Sequence, residues 1–164
     1  MREGKTEIEK GTARSETPSQ GLLTGRFEHP LDPKKRLTLP ATWWHSMGRP
    51  EYVYVMPDPN NRCLTLLPPQ EMEARMGELR QKALFDPVAT RALRTIGENS
   101  EQLLFDVQRR LRIGDRLLRY AELTGQVVLI GAVNRIQLWA PEHCESLQEV
   151  DPEKLREACQ LVGF

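Results

Sequence analysis

The sequence states one pattern twice. Leu31-Asp32-Pro33-Lys34-Lys35-Arg36-Leu37-Thr38-Leu39 returns as Phe105-Asp106-Val107-Gln108-Arg109-Arg110-Leu111-Arg112-Ile113. Both copies read apolar residue, Asp, three residues, Arg, then alternating apolar positions. The offset is constant, since 106 − 32 and 110 − 36 both give 74. Val53-Tyr54-Val55-Met56 faces Val127-Val128-Leu129-Ile130 at that same offset, and Leu64-Thr65-Leu66-Leu67 matches Ile136-Gln137-Leu138-Trp139 at 72. The first copy therefore carries a turn two residues longer. Two copies are too few for a solenoid, and they suit a pseudo-symmetric pair of half-domains.

Each copy reads as strand, turn, strand, short helix, strand, turn, strand. In the first, Leu22 to Leu31 forms a strand that His29-Pro30 confines to an edge or a bulge. Asp32-Pro33-Lys34-Lys35 is a type I turn, because Asp accepts a local hydrogen bond and Pro presets the first central φ. Arg36 to Leu39 alternates as a half-buried strand does. Pro40 opens a short helix closed by Gly48, and Tyr52–Met56 and Leu64–Leu67 form the second hairpin. The second copy places strands at 102–105, 110–113, 127–130 and 136–139, with Asp115 capping its short helix. Between the copies, Met72, Met76, Leu79 and Ala83 keep helical spacing, and Asp86-Pro87 starts a second helix that Gly97 stops. Asp151-Pro152 starts a last helix with Leu155, Ala158, Cys159 and Val162 on one side, a face that requires a partner on its own chain or on a neighbouring subunit.

A lone two-stranded hairpin is marginal, so the halves are expected to interleave. The expectation is a mainly β protein with helices: a barrel with a pseudo-twofold axis, a helical connector and a C-terminal helix. The chain divides into a flexible tail (1–20), a first half (22–69), the connector (70–100), a second half (101–145) and a terminal helix (146–164). Interleaving is expected to bring both first turns to one face, with Lys34, Lys35 and Arg36 beside Gln108, Arg109 and Arg110.

Lys+Arg and Asp+Glu number 23 each. A balanced chain argues against nucleic-acid binding when taken alone, but the distribution of charge decides. Residues 31–49 hold Lys34, Lys35, Arg36 and Arg49 against Asp32, and residues 106–119 hold five arginines against Asp106 and Asp115. The motifs are the basic poles. Arg meets guanine O6 and N7 bidentately and Lys anchors on phosphate, whereas Asp32 and Asp106 repel phosphate and serve to fix the turn and orient the arginine. Arg112, Arg116 and Arg119 form a solvated helix face or extend that pole.

Other chemistries find no support in the pattern. There is no nucleophile elbow, phosphate-binding glycine loop or His-containing acid/base pair. His29, His45 and His143 lack metal-ligand spacing, and Cys63, Cys144 and Cys159 suggest neither a disulfide framework nor a zinc site. No cofactor, metal or small-molecule substrate is expected. No apolar run reaches the roughly 20 residues of a membrane span, and the N-terminus lacks a secretory signal, so a cytoplasmic protein is expected.

The paired Asp-x-x-x-Arg motifs, Leu39-Pro40, Asp86-Pro87-Val88 and the run Val128-Leu129-Ile130-Gly131…Asn134-Arg135-Ile136-Gln137-Leu138-Trp139 resemble MraZ. That family comprises bacterial transcriptional regulators with two AbrB-type swapped-hairpin modules, and the likeness covers about Leu22 to Cys144. It implies a nucleoid-associated, ring-forming homo-oligomer on double-stranded DNA. Such a ring binds short direct repeats upstream of the division and cell-wall genes, with Arg36 and Arg110 as the main contacts. The family usually has Gly before the motif Arg, where this chain has Lys35 and Arg109. A structural or partner-binding ring that has lost DNA binding is the alternative.

Overall fold

The computed structural model describes residues 21–145 and 149–164; the tail expected over 1–20 and part of the expected terminal segment, 146–148, lie outside them. The first half runs β1 (Arg26–Pro30), β2 (Arg36–Thr38), α1 (Ala41–Ser46), β3 (Tyr52–Pro57) and β4 (Leu64–Leu67). The connector is α2 (Pro69–Ala83) and α3 (Pro87–Asn99). The second half repeats the plan as β5 (Glu101–Leu104), β6 (Arg110–Arg112), α4 (Asp115–Ala121), β7 (Gln126–Gly131) and β8 (Ile136–Trp139). A short 3₁₀ turn (Pro141–His143) and α5 (Pro152–Leu161) follow.

The halves exchange strands. One antiparallel sheet has the order β1-β7-β8-β4-β3-β5, and β2 pairs with β6 in a separate two-stranded ribbon. Substituting each strand by its counterpart in the other half returns the same order reversed, with the axis between β4 and β8. Thus β1 lies on β7, with Phe27 opposite Leu129, and β5 lies on β3, with Leu103 opposite Val53. The sheet does not close. The barrel expected from interleaving is corrected to an open six-stranded sheet whose edges are β1 and β5. Pro30 ends β1 and cannot donate to a further strand.

Inward-facing residues of both halves form one core: Leu37, Leu39, Val53, Val55, Leu64 and Leu66 from the first, and Leu111, Ile113, Val127, Leu129, Ile136 and Leu138 from the second, all essentially inaccessible. Trp43 of α1 joins it, donating Nε1–H to the Thr24 carbonyl at 2.8 Å and meeting Phe27 edge-on. At the end of β7 the chain passes so close to residues 23–24 that a Cβ on Gly131 would sit 2.7 Å from the Leu23 carbonyl. Only glycine permits this approach.

Two local expectations shift. Helix α3 runs through Gly97 to Asn99, because Asn99 and Ser100 side chains donate to the carbonyls of Thr95 and Ile96 and so extend the last turn. Asp115 is the first residue of α4 rather than its cap, a position taken by Gly114. The carboxylate of Asp115 is engaged elsewhere.

Candidate nucleic-acid interface

Each repeated motif folds into the same hydrogen-bonded turn. Asp32 N–H donates to the Arg36 carbonyl at 3.0 Å and Lys35 N–H to the Asp32 carbonyl at 2.9 Å; the second copy gives 3.1 Å and 3.0 Å for Asp106 with Arg110 and Arg109. This is a type I turn followed by a bulge residue in the left-handed region. Lys35 stands at φ 62° and Arg109 at φ 58°.

The aspartates lock the turns from inside. Asp32 Oδ1 accepts the N–H groups of Lys34 and Arg36 at 2.9 and 2.8 Å, and Oδ2 accepts Arg36 Nε–H at 2.6 Å. Asp106 does the same for Gln108 and Arg110 at 2.8 and 2.9 Å, with Arg110 Nε at 2.6 Å. Each guanidinium is thus held by Nε. Among the described residues its two terminal nitrogens have no hydrogen-bond partner, which leaves a planar fork for an outside acceptor. Desolvation at the turn pushes each Asp carboxyl up, but hydrogen bonds from the arginine backbone and guanidinium outweigh it and hold both below the ordinary value of 3.8.

The sign of that shift gives a test. A carboxyl depressed in the folded state stabilises it above the unfolded value, and the contribution is lost as pH falls through the folded value. Both turns should be at full strength at neutral pH and weaken only below 3.8. Acid unfolding followed by circular dichroism should have a flatter pH dependence in that range for the Asp32→Asn/Asp106→Asn variant; an unchanged slope would exclude the two carboxyls as its source.

The register of the ribbon decides where the turns lie. Arg36 is opposite Arg112, Leu37 opposite Leu111 and Thr38 opposite Arg110. A twofold that exchanges two antiparallel strands also exchanges the ends of their ribbon. The turns therefore stand at opposite ends of β2–β6, and the single adjoining patch expected for Lys34, Lys35, Arg36, Gln108, Arg109 and Arg110 is corrected to two stations. Side chains alternate across a strand, so Leu37 and Leu111 face the core while Arg36, Thr38, Arg110 and Arg112 share the outer face. Of the two readings given to Arg112 from sequence, a solvated helix face or an extension of the basic pole, its place in β6 opposite Arg36 supports the second.

The stations differ in charge. The Lys35 ammonium is bound to the Asp115 carboxylate at the start of α4, and that hydrogen bond, then the lysine charge, holds the Asp115 carboxyl low. The residue 74 positions before Asp115 is Ala41, so Arg109 lacks the equivalent carboxylate. Its Nε is buried without a hydrogen-bond partner among the described residues. A cleft of about 750 Å³ flanks the first turn, between Leu31, Pro33, Lys35, Asp115 and Arg119. Elsewhere, among the described residues, no cluster of His, Cys, Asp and Glu could hold a metal and no helix is long and apolar enough to cross a membrane. His45 Nδ1 lies 2.6 Å from the Ala41 carbonyl and His143 pairs with Glu122 at 2.5 Å. Burial among apolar groups pushes the Cys63 thiol up to about 12, so it stays protonated.

Left-handed φ costs a residue with a Cβ about 1 kcal/mol relative to glycine. Lys35→Gly and Arg109→Gly should each raise the melting temperature, by roughly 2–4 °C per kcal/mol relieved in a chain of this size. A melting temperature that fell with both would show that the side chains stabilise more than the backbone conformation costs.

Strand exchange and paired Asp-Arg turns define a tandem-hairpin protein built from two related halves, with an arginine-bearing ribbon across its axis. Residues 98–160 match the family described as "MraZ protein, putative antitoxin-like". A protein of Symbiobacterium thermophilum named "Transcriptional regulator MraZ" is 28% identical over 85% of this chain and 99% of its own length. Namesakes from Clostridium tetani and Mycoplasmopsis pulmonis are 24% and 28% identical, over 87% and 81% of this chain and 100% and 89% of their own. The chain is thus similar to the MraZ family, by its model over residues 98–160 and by these regulators along most of its length.

Proposed function

We propose that this chain is a sequence-specific DNA-binding transcriptional regulator. It lays the outer face of β2–β6, with a motif turn at each end, into the major groove. One observation carries the reading: in both turns the arginine is fixed through Nε by an aspartate while its terminal nitrogens remain available. A two-stranded ribbon fits the B-DNA major groove, and a planar guanidinium matches guanine O6 and N7. The relatives' shared name, which designates a transcriptional regulator, supports it.

On this reading Arg36 and Arg110 contact bases, Lys34, Lys35 and Arg109 meet phosphate, Gln108 faces the groove, and Asp32 and Asp106 position the arginines. The chain acts as a ring-shaped homo-oligomer on short direct repeats upstream of the division and cell-wall gene cluster, within the cytoplasmic nucleoid. A neutral chain with few phosphate contacts binds a single site weakly, and repeated subunits on repeated sites recover affinity through effective concentration. Exposed apolar residues support self-association: α5 buries none of its residues, and Leu84, Phe85 and Val88 stand open at the α2–α3 corner.

The capture of Lys35 by Asp115 favours a second reading, a ring that no longer binds DNA. A gel shift with the DNA upstream of the chain's own gene, at two salt concentrations, separates the two. A salt-sensitive shifted band is expected; no shift at low salt would favour the second reading.

A further inference from the structure

The two turns share a backbone and differ at the apex. The first presents Pro33 and Lys34, the second Val107 and Gln108. Proline at the first central position needs no ligand to explain it, because it presets φ. Valine has no such reason. Val107 is 99% exposed, where a β-branched apolar side chain packs against nothing and gives the turn no preorganisation. Gln108 follows with its N–H tied to Asp106 Oδ1 at 2.8 Å, so backbone and base of the side chain are fixed while the carboxamide is exposed. Behind them Arg109 lacks the carboxylate that neutralises Lys35 at the other end.

Resting on the DNA-binding reading above, we propose that Val107 and Gln108 make the second turn a reader of an A·T step. The carboxamide offers one acceptor and two donors, the complement of adenine N6–H₂ and N7. The valine methyls fit the C5 methyl of thymine, the one apolar group on a major-groove edge. Pro33-Lys34 cannot do this. An ammonium only donates, so it suits acceptor-only partners, guanine O6 and N7 or phosphate oxygens. The pseudo-symmetric body therefore reads an asymmetric site in one orientation, with an A·T step beside the guanine of Arg110 that has no counterpart beside that of Arg36.

The test selects bound duplexes from a randomised pool, using the full chain and its Gln108→Lys and Val107→Ala variants. The enriched wild-type duplex is then remade with deoxyuridine for thymine. Expected for the wild type is an off-centre A·T step whose change to G·C weakens binding roughly 5- to 100-fold. Gln108→Lys should change the preferred base there from adenine to guanine. Deoxyuridine should weaken the wild type several-fold and Val107→Ala by less. If all three proteins enrich one sequence, or if deoxyuridine is without effect on the wild type, the inference fails while DNA binding stands. If the wild type enriches no duplex, the DNA-binding reading fails and takes this one with it.

Discussion

Replacing Arg36 and Arg110 together by alanine should abolish specific DNA binding while leaving the chain folded. Both side chains lie on the outer face of the ribbon, and each turn keeps its backbone hydrogen bonds without them. A good bidentate arginine–guanine contact discriminates by about 1–3 kcal/mol, so each single variant should lose roughly 5- to 100-fold in affinity. The double variant should fall to the salt-sensitive background of non-specific binding. Part of each loss comes from the aspartate, since without its arginine Asp32 or Asp106 meets DNA as an unpaired negative charge. Asp32→Asn in the Arg36→Ala background should therefore recover part of the affinity, and specificity should stay lost. Arg36→Lys/Arg110→Lys sharpens the test: lysine keeps the charge but neither the planar fork nor the Nε bond to aspartate. It should retain the salt slope and lose sequence preference. Fluorescence anisotropy against matched and scrambled duplexes at two ionic strengths reads both quantities. Unchanged affinity in the double alanine variant would remove the motif from the binding surface.

Strand exchange was legible in the sequence because the repeat and the weakness of a single hairpin leave few other ways to build a core. The motif turns were legible in detail. Asp at the first position follows from turn chemistry, and the family's usual Gly before the motif Arg marks the position where Lys35 and Arg109 stand at φ of 62° and 58°. Closure was not legible. Whether β1 and β5 meet depends on sheet twist and on the width of the sheet between them, neither of which is written in a hydrophobic pattern. The orientation of the turns was misread for a different reason. Symmetry brings related strands together, but in an antiparallel pair it sends related loops to opposite ends, and that depends on which strands pair. The bond between Lys35 and Asp115 spans 80 positions and leaves no periodic trace; locally, Asp115 reads as a helix cap, and only the tertiary structure gives its carboxylate another partner.

Removing the inner side of the ribbon should be as damaging as removing the outer, through stability rather than contact. Leu37 and Leu111 are directly opposed in the register and 0% and 1% exposed. In a ribbon of three residue pairs, alternation sends only this central pair inward. It seats the arginine face on the core, aided by Leu39 and Ile113 just beyond the strand ends. Leu→Ala in a packed core costs about 2–5 kcal/mol, against a total stability of about 5–15 kcal/mol for a typical domain. Either single variant should lower the melting temperature by roughly 5–20 °C. The double variant should be largely unfolded at 37 °C, with a combined loss that departs from the sum because the two side chains share one site. Leu37→Met conserves volume and should cost less than about 1.5 kcal/mol, which separates loss of packing from any change at the position. Chemical denaturation gives these differences directly. In the single variants DNA affinity, corrected for the folded fraction, should stay near wild type if the ribbon moves with the sheet as one unit. A corrected affinity that collapses while the sheet remains folded would mean that the ribbon detaches by itself, and that this leucine pair is what holds the arginine face in place.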